Sequence, residues 1–106
     1  MSNGQNVTVV RIYLNEGEAQ LENLMKRLHD WEHLRGLTVF RGIAGYGDSG
    51  EVHSSKLIDL SLNLPVVVEF FDKPEKIEAV LDHLGDTIKV GHMLSWPALI
   101  NSNEED

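Results

Sequence analysis

"LPVVVEFFDKPEKIEAVLDHLG", residues 64–85, decides how this chain folds. Its first part, Leu64–Phe71, packs three valines and two phenylalanines into eight residues, the β-branched and aromatic content of a strand. Pro65 is confined to the first residues of that strand because it has no N–H to give to a ladder. Asp72 then reads as a helix N-cap, with Pro74 in the first turn and Glu75 at the third position. Ile77, Val80, Leu81 and Leu84 follow the spacing of one buried helical stripe, and Gly85 ends it. The strand is apolar on both alternate sets except at Glu69, which is unusual for a sheet with one wet face.

Upstream, "VTVVRIYL" (Val7–Leu14) is a second strand. Thr8, Val10, Ile12 and Leu14 share one face, and Val7, Val9, Arg11 and Tyr13 share the other. In "NEGEAQLENLMKRLHDWEHLRG", Leu21, Leu24, Met25 and Leu28 take helical i, i+3, i+4, i+7 spacing, and Gly36 reads as the stop. Leu37–Ala44 reads as a strand, and Lys56–Leu62 as a short turn or a strand extension. Downstream, Ile88–Leu94 reads as the last strand, followed by "SWPALI".

The order is βαββαβ, which predicts an α+β fold: the ferredoxin-like sandwich, a four-stranded antiparallel sheet with two helices on one face. Two helices cover only one face, while Val7, Val9, Tyr13 and the second set of "VVVEFF" leave the other largely apolar. Another subunit covering that face is the expectation.

The length of 106 residues fits one domain, residues 1–106, with residues 1–6 and 101–106 read as disordered tails. With 42% hydrophobic and 25% charged residues the composition is globular, and no apolar run is long enough to span a bilayer. The start, "MSNGQN", has no basic or apolar stretch of a secretory signal, and a cytoplasmic address is expected. Without cysteine, disulfides, thiolate catalysis and cysteine-held metals are excluded. A net charge of −8 argues against nucleic acid as a partner, since a phosphate backbone needs clustered Lys and Arg.

Two stretches carry candidate chemistry. "HDWEH", His29–His33, fits a His-x-x-Glu-His zinc signature, and both histidines would share one helix face. That face is shared with Glu22 and Lys26, away from the leucine stripe, and no third ligand is specified, so the motif reads as solvated surface. His83 and His92 read as structural, one near the end of the second helix and the other in the last strand. "FRGIAGYGDSGEVHS", Phe40–Ser54, is more informative. Gly42, Gly45, Gly47 and Gly50 permit close backbone approach to a ligand, and their N–H groups can cradle an anion. The loop joins two strands and has neither a Walker lysine nor a helix after it, so it is no standard phosphate loop. Long loops in small domains are commonly functional. No coherent set of acid, base and nucleophile is present, so no enzyme is expected.

"TVFRGIAGYGDSGEVHSSKLIDLSLNLPVVVEFFD", Thr38–Asp72, together with "VRIYLNEGE" and "KIEAVLDHLGDTI", resembles the PII-like proteins grouped as domain of unknown function 190. The resemblance covers nearly the whole chain. It implies a ferredoxin-like homotrimer akin to the PII signalling proteins, with a small effector in a cleft between subunits at the base of the loop joining strands two and three. It also implies a partner, a transporter or an enzyme, controlled by movement of that loop. "GYGDSG" stands where PII proteins carry arginine and lysine, and the glycine–lysine loop before the last strand is shortened to "GDTIKVG". The ligand-binding residues expected are Arg41, Gly42, Gly45, Tyr46, Gly47, Gly50, His53, Lys56 and Lys89. Arg41, Lys56 and Lys89 are too few cations for a triphosphate, which points to a less charged nucleotide or another small anion. No permanent cofactor and no resident metal are expected. The alternative is a metal-responsive trimer resembling the divalent-cation-tolerance proteins, with His53 and loop or tail acids as ligands.

Overall fold

The structure is a computed structural model that describes residues 4–14, 18–30, 32–45, 53–54 and 65–102. The elements are β1 (Gly4–Leu14), α1 (Glu18–Asp30), β2 (Gly36–Arg41), β3 (Ala44–Gly45), β4 (His53–Ser54), β5 (Val66–Asp72), α2 (Pro74–Leu84) and β6 (Met93–Asn101). A 3-10 turn, Gly85–Thr87, continues from α2.

The sheet follows from β5. Val66, Val68, Phe70 and Asp72 are buried while Val67, Glu69 and Phe71 are half-buried, a strict alternation over seven residues. β5 pairs antiparallel with β2 on one side and β1 on the other, and β1 carries β6 on its far edge, giving the order β2-β5-β1-β6. Val10, Ile12 and Leu14 of β1 lie on the same face as Val66, Val68 and Phe70. Leu24 and Leu28 of α1 and Ile77, Val80 and Leu84 of α2 close over that face to form the core. This is the ferredoxin-like arrangement expected from the order of elements, with β3 and β4 added as a two-residue ladder at the root of the glycine loop.

Several boundaries differ from the sequence reading. β1 starts at Gly4, so Gly4–Asn6, expected in a tail, pair with Leu99–Asn101 of β6. The last strand is Met93–Asn101 rather than Ile88–Leu94, because Gly91 sits at φ +85° in a turn that interrupts the apolar run. Pro97 is accommodated inside β6 because β6 is an edge strand. Asp72 is the last residue of β5, and the N-cap is Lys73, which makes no side-chain cap. Gly36 opens β2 instead of stopping α1, which ends at Asp30. β2 ends at Arg41 rather than Ala44, since the next N–H, that of Gly42, goes to the carbonyl of Pro65, the residue that lies outside the β5 ladder.

Asp72 ties the layers together. Its carboxylate accepts the N–H of Lys73 (2.8 Å) and of Arg35 (2.9 Å), and Lys76 Nζ lies 3.4 Å away. Burial alone would raise its pKa, but those two N–H groups and Lys76 outweigh it and hold the carboxyl below its usual value. The α1–β2 connection is thereby fastened to the start of α2. Glu32, also buried, makes a second fastening to His83 Nδ1 at 3.1 Å.

Candidate functional site

Of the expected ligand residues, Arg41, Gly42, Gly45, His53 and Lys89 are among those described, and they lie at one end of the sheet. Arg41 is the last residue of β2 and lies opposite Val66, which lies opposite Leu14, so the three form one row across β2, β5 and β1. The turn carrying Lys89 enters β6 at the same end, where His92 donates its N–H to the Lys89 carbonyl and accepts the N–H of Tyr13. His92 therefore lies in this turn and not in the last strand as expected. Arg41 ends β2, one edge strand of the sheet, and Lys89 lies in the turn that leads into β6, the other edge strand. Three strand spacings, about 14 Å, separate those edges.

Gly42 and Gly45 form the root of the glycine loop. A Cβ at Gly42 would sit 2.6 Å from Pro65 Cγ and 3.3 Å from the Pro65 carbonyl oxygen, and one at Gly45 would sit 3.1 Å from the same Cγ. Gly42 also donates its N–H to that carbonyl at 2.7 Å. Only a residue without a side chain lets the strand pass this close to Pro65, so Gly42 closes the two ends of the loop against each other. Gly45 pairs with His53 and Ala44 with Ser54, which brings the backbone of His53 beside the glycine root. Tyr46, Gly47, Gly50 and Lys56 lie outside the described residues.

A cavity of about 230 Å³ opens at this end, between α1 and the connection from α2 to β6. Leu14, Leu24 and Ile88 line it together with the polar Gln20, Asn23, Arg27 and Thr87. The Thr87 hydroxyl donates to the Leu84 carbonyl at 2.6 Å, and Arg27 Nη2 donates to the His83 carbonyl. An apolar lining with a few convergent polar groups suits a small organic molecule or a part of one. Sequence reasoning did not single out these residues. Gln20, Asn23 and Arg27 share a helix face at i, i+3, i+7, but polar residues at that spacing also describe any solvated helix flank.

The zinc-like motif does not assemble. His29 lies at the end of α1, and His33 lies beyond it in left-handed backbone at φ 51°, so the two do not share a helix face. His29 Nδ1 contacts Asp30 at 2.9 Å, and Glu32 is engaged with His83. Among the described residues no group of three or more His, Cys, Asp or Glu converges to hold a metal ion.

The face of the sheet opposite the helices carries Thr38 and Phe40 of β2, Val67, Glu69 and Phe71 of β5, Val9, Arg11 and Tyr13 of β1, and Leu94, Trp96 and Ala98 of β6. Phe40, Tyr13 and Leu94 are 49%, 40% and 45% exposed, which is the apolar surface expected on this face. Val7 departs from that expectation: it lies on the same side yet is buried within the single chain.

The family model "DUF190: Uncharacterized ACR" matches residues 7–100. A UPF0166 protein of Aquifex aeolicus is 44% identical over 69 residues, which span 65% of this chain and 65% of that protein. A UPF0166 protein of Methanocaldococcus jannaschii is 41% identical over 86 residues, 76% of this chain and 78% of that one. Among solved structures, CPII, a nitrogen regulatory PII-like protein from Thiomonas intermedia K12 bound to ADP and bicarbonate, superposes with a TM-score of 0.69 at 15% identity, covering 93% of this chain and 92% of the other. CutA1 from Oryza sativa gives 0.60 at 11% identity, over 96% and 86%. At these identities the two structures speak for the fold.

Proposed function

The chain belongs to the DUF190 family, and from that premise we propose that it is a PII-like regulatory protein rather than an enzyme. It assembles as a homotrimer in the cytoplasm, binds a small nucleotide-like or anionic effector between subunits, and through the glycine loop controls a partner transporter or enzyme. The observation that carries this reading is that Arg41 and Lys89 lie at one end of the sheet, Arg41 at the end of the edge strand β2 and Lys89 in the turn into the other edge strand, β6. A ring of copies joined head to tail sets the β2 edge of one beside the β6 edge of the next, so the two cations meet across the boundary between copies. Arg41 supplies charge there, Lys89 of the next copy supplies a second, and the backbone of Gly42, Gly45 and His53 forms the floor. Effector contacts at that root bias the loop that follows, which is how binding becomes a signal.

CPII was solved with ADP, AMP and bicarbonate, and these are the first ligands to test. Isothermal titration of the purified chain with ADP, AMP, ATP, bicarbonate and divalent metals checks the reading. ADP or AMP is expected to bind more tightly than ATP, and Arg41→Ala is expected to weaken that binding by roughly tenfold or more without changing the mass of the assembly. Equal affinity in Arg41→Ala removes the residue from the site. The metal-responsive alternative draws support from the likeness to CutA1, which in Ehrlichia chaffeensis is described as a divalent ion tolerance protein. A metal heat lost in His53→Ala, with no nucleotide heat, replaces the first reading with the second.

A further inference from the structure

The cavity between α1 and the connection from α2 to β6 has no part in the function proposed above. It lies within one chain and on the helix side of the sheet, since Leu14 and Leu24, which line it, belong to the core under the helices. The effector proposed above sits between copies, at the sheet edges. Within the cavity the walls differ in chemistry. Leu14, Leu24 and Ile88 are apolar, while Gln20, Asn23 and Arg27 stand along one flank of α1 at i, i+3 and i+7. Thr87 comes from the connection that leads to β6.

We propose that this cavity is a second binding site, for a small monocarboxylate whose apolar body is about the size of a benzene ring. Its volume of about 230 Å³ exceeds the roughly 150 Å³ in which a dry apolar cavity holds benzene. The surplus admits a carboxylate. A nucleotide is too large, since drug-sized ligands occupy cavities of about 300–1,000 Å³.

The sign of the ligand's charge follows from the lining. Arg27 is its one charged residue, and no Asp or Glu is part of the described lining. Arg27 Nε is buried and Nη2 donates to the carbonyl of His83 in the last turn of α2, so the guanidinium is held at the wall. A carboxylate that meets a guanidinium makes the stronger, charge-assisted class of hydrogen bond, and a cation would meet a like charge. Gln20 and Asn23 add amide N–H donors on the same flank of α1. The Thr87 hydroxyl gives its proton to the Leu84 carbonyl at 2.6 Å, so towards a ligand it is an acceptor only. Donors thus gather on the α1 wall, where acceptor oxygens match them, and Leu14, Leu24 and Ile88 take the apolar body. The net charge of −8 repels an anion at long range, but at physiological salt that repulsion is screened beyond about 8 Å, and contacts inside the cavity decide.

Calorimetric titration of the full chain with benzoate, and with benzamide as its neutral isostere, tests this. Wild type is expected to bind benzoate with a Kd of about 1 mM or tighter, and benzamide roughly tenfold more weakly or worse. Gln20→Trp puts an indole into the lining from a half-buried position on α1 and is expected to abolish benzoate binding. Arg27→Gln is expected to bring benzoate down to the level of benzamide, and circular dichroism checks that both variants are folded. Should Arg27→Gln fail to fold, the benzamide comparison and Gln20→Trp still decide. Arg41→Ala is expected to bind benzoate as wild type does. No benzoate binding by wild type, equal binding of benzoate and benzamide, or unchanged benzoate binding in folded Gln20→Trp overturns the inference. Loss of benzoate binding in Arg41→Ala moves the carboxylate to the effector site and also overturns it. A chain that shows the expected benzoate pattern but binds no nucleotide upholds the inference and overturns the nucleotide reading alone.

Discussion

Replacing Asp72 by alanine gives the sharpest test of how the two layers are joined. The side chain is 7% exposed and accepts the N–H of Lys73 and of Arg35, with Lys76 beside it. A backbone hydrogen bond to a charged acceptor contributes about 1.5–3 kcal/mol. Both donors belong to exposed residues, where water recovers part of that loss. The exposed end of the Lys76 pair adds only a few tenths of a kcal/mol. The expected cost of Asp72→Ala is therefore about 2–4 kcal/mol at neutral pH, and about half of that for Asp72→Asn, which keeps one carbonyl acceptor. The pH dependence follows from the lowered carboxyl pKa. A group with a depressed folded-state pKa contributes fully above its unfolded value, near 3.8, and loses that contribution as pH falls through the folded value. The gap between wild type and Asp72→Ala should be full at about pH 7 and should narrow as pH falls below the unfolded value of 3.8 and through the lowered folded one. Urea denaturation at fixed chain concentration, followed by circular dichroism, measures it. A neutral-pH gap below about 0.5 kcal/mol, or a gap unchanged on acidification, refutes the assignment.

Gly42→Ala should destabilise the chain by about 1–3 kcal/mol, because its Cβ would meet Pro65 at 2.6 Å, and urea denaturation reads it directly. The same variant should lower effector affinity even if the fold survives, since it moves the root of the loop. Glu32→Ala should cost about 1–2 kcal/mol by releasing His83, and a cost no larger than that of an exposed residue such as Glu78→Ala would deny the fastening a role.

The parts of the fold legible in the sequence were those governed by short-range periodicity. The valines and phenylalanines of Leu64–Phe71 and the stripes Leu24–Leu28 and Ile77–Val80–Leu84 identified the central strand and the helix faces that close the core. The errors arose where a distant partner decided the outcome. Asp72 has a capping side chain, but one of the two N–H groups it accepts belongs to Arg35, 37 positions away. Ile88 and Val90 carry strand-like side chains, yet a turn through Gly91 claims them, and Val90 is left 95% exposed. The pairing of Arg11 with Glu69 needs the β1–β5 register, which no local pattern specifies. At the candidate site, the glycines and Arg41 announced themselves. The cavity residues did not, because α1 and the Thr87–Ile88 segment meet only through the fold.

A subunit-mixing experiment shows whether the effector site is shared between copies. Arg41→Ala and Lys89→Ala chains are unfolded together in equal amounts, refolded, and titrated with ADP by calorimetry beside each variant alone. If each site takes Arg41 from one copy and Lys89 from the next, random mixing restores about a quarter of the wild-type sites at wild-type affinity, while each variant alone has none. A mixture that binds no better than the two variants measured separately, although wild type binds ADP, places both residues' contributions within one chain and contradicts the account.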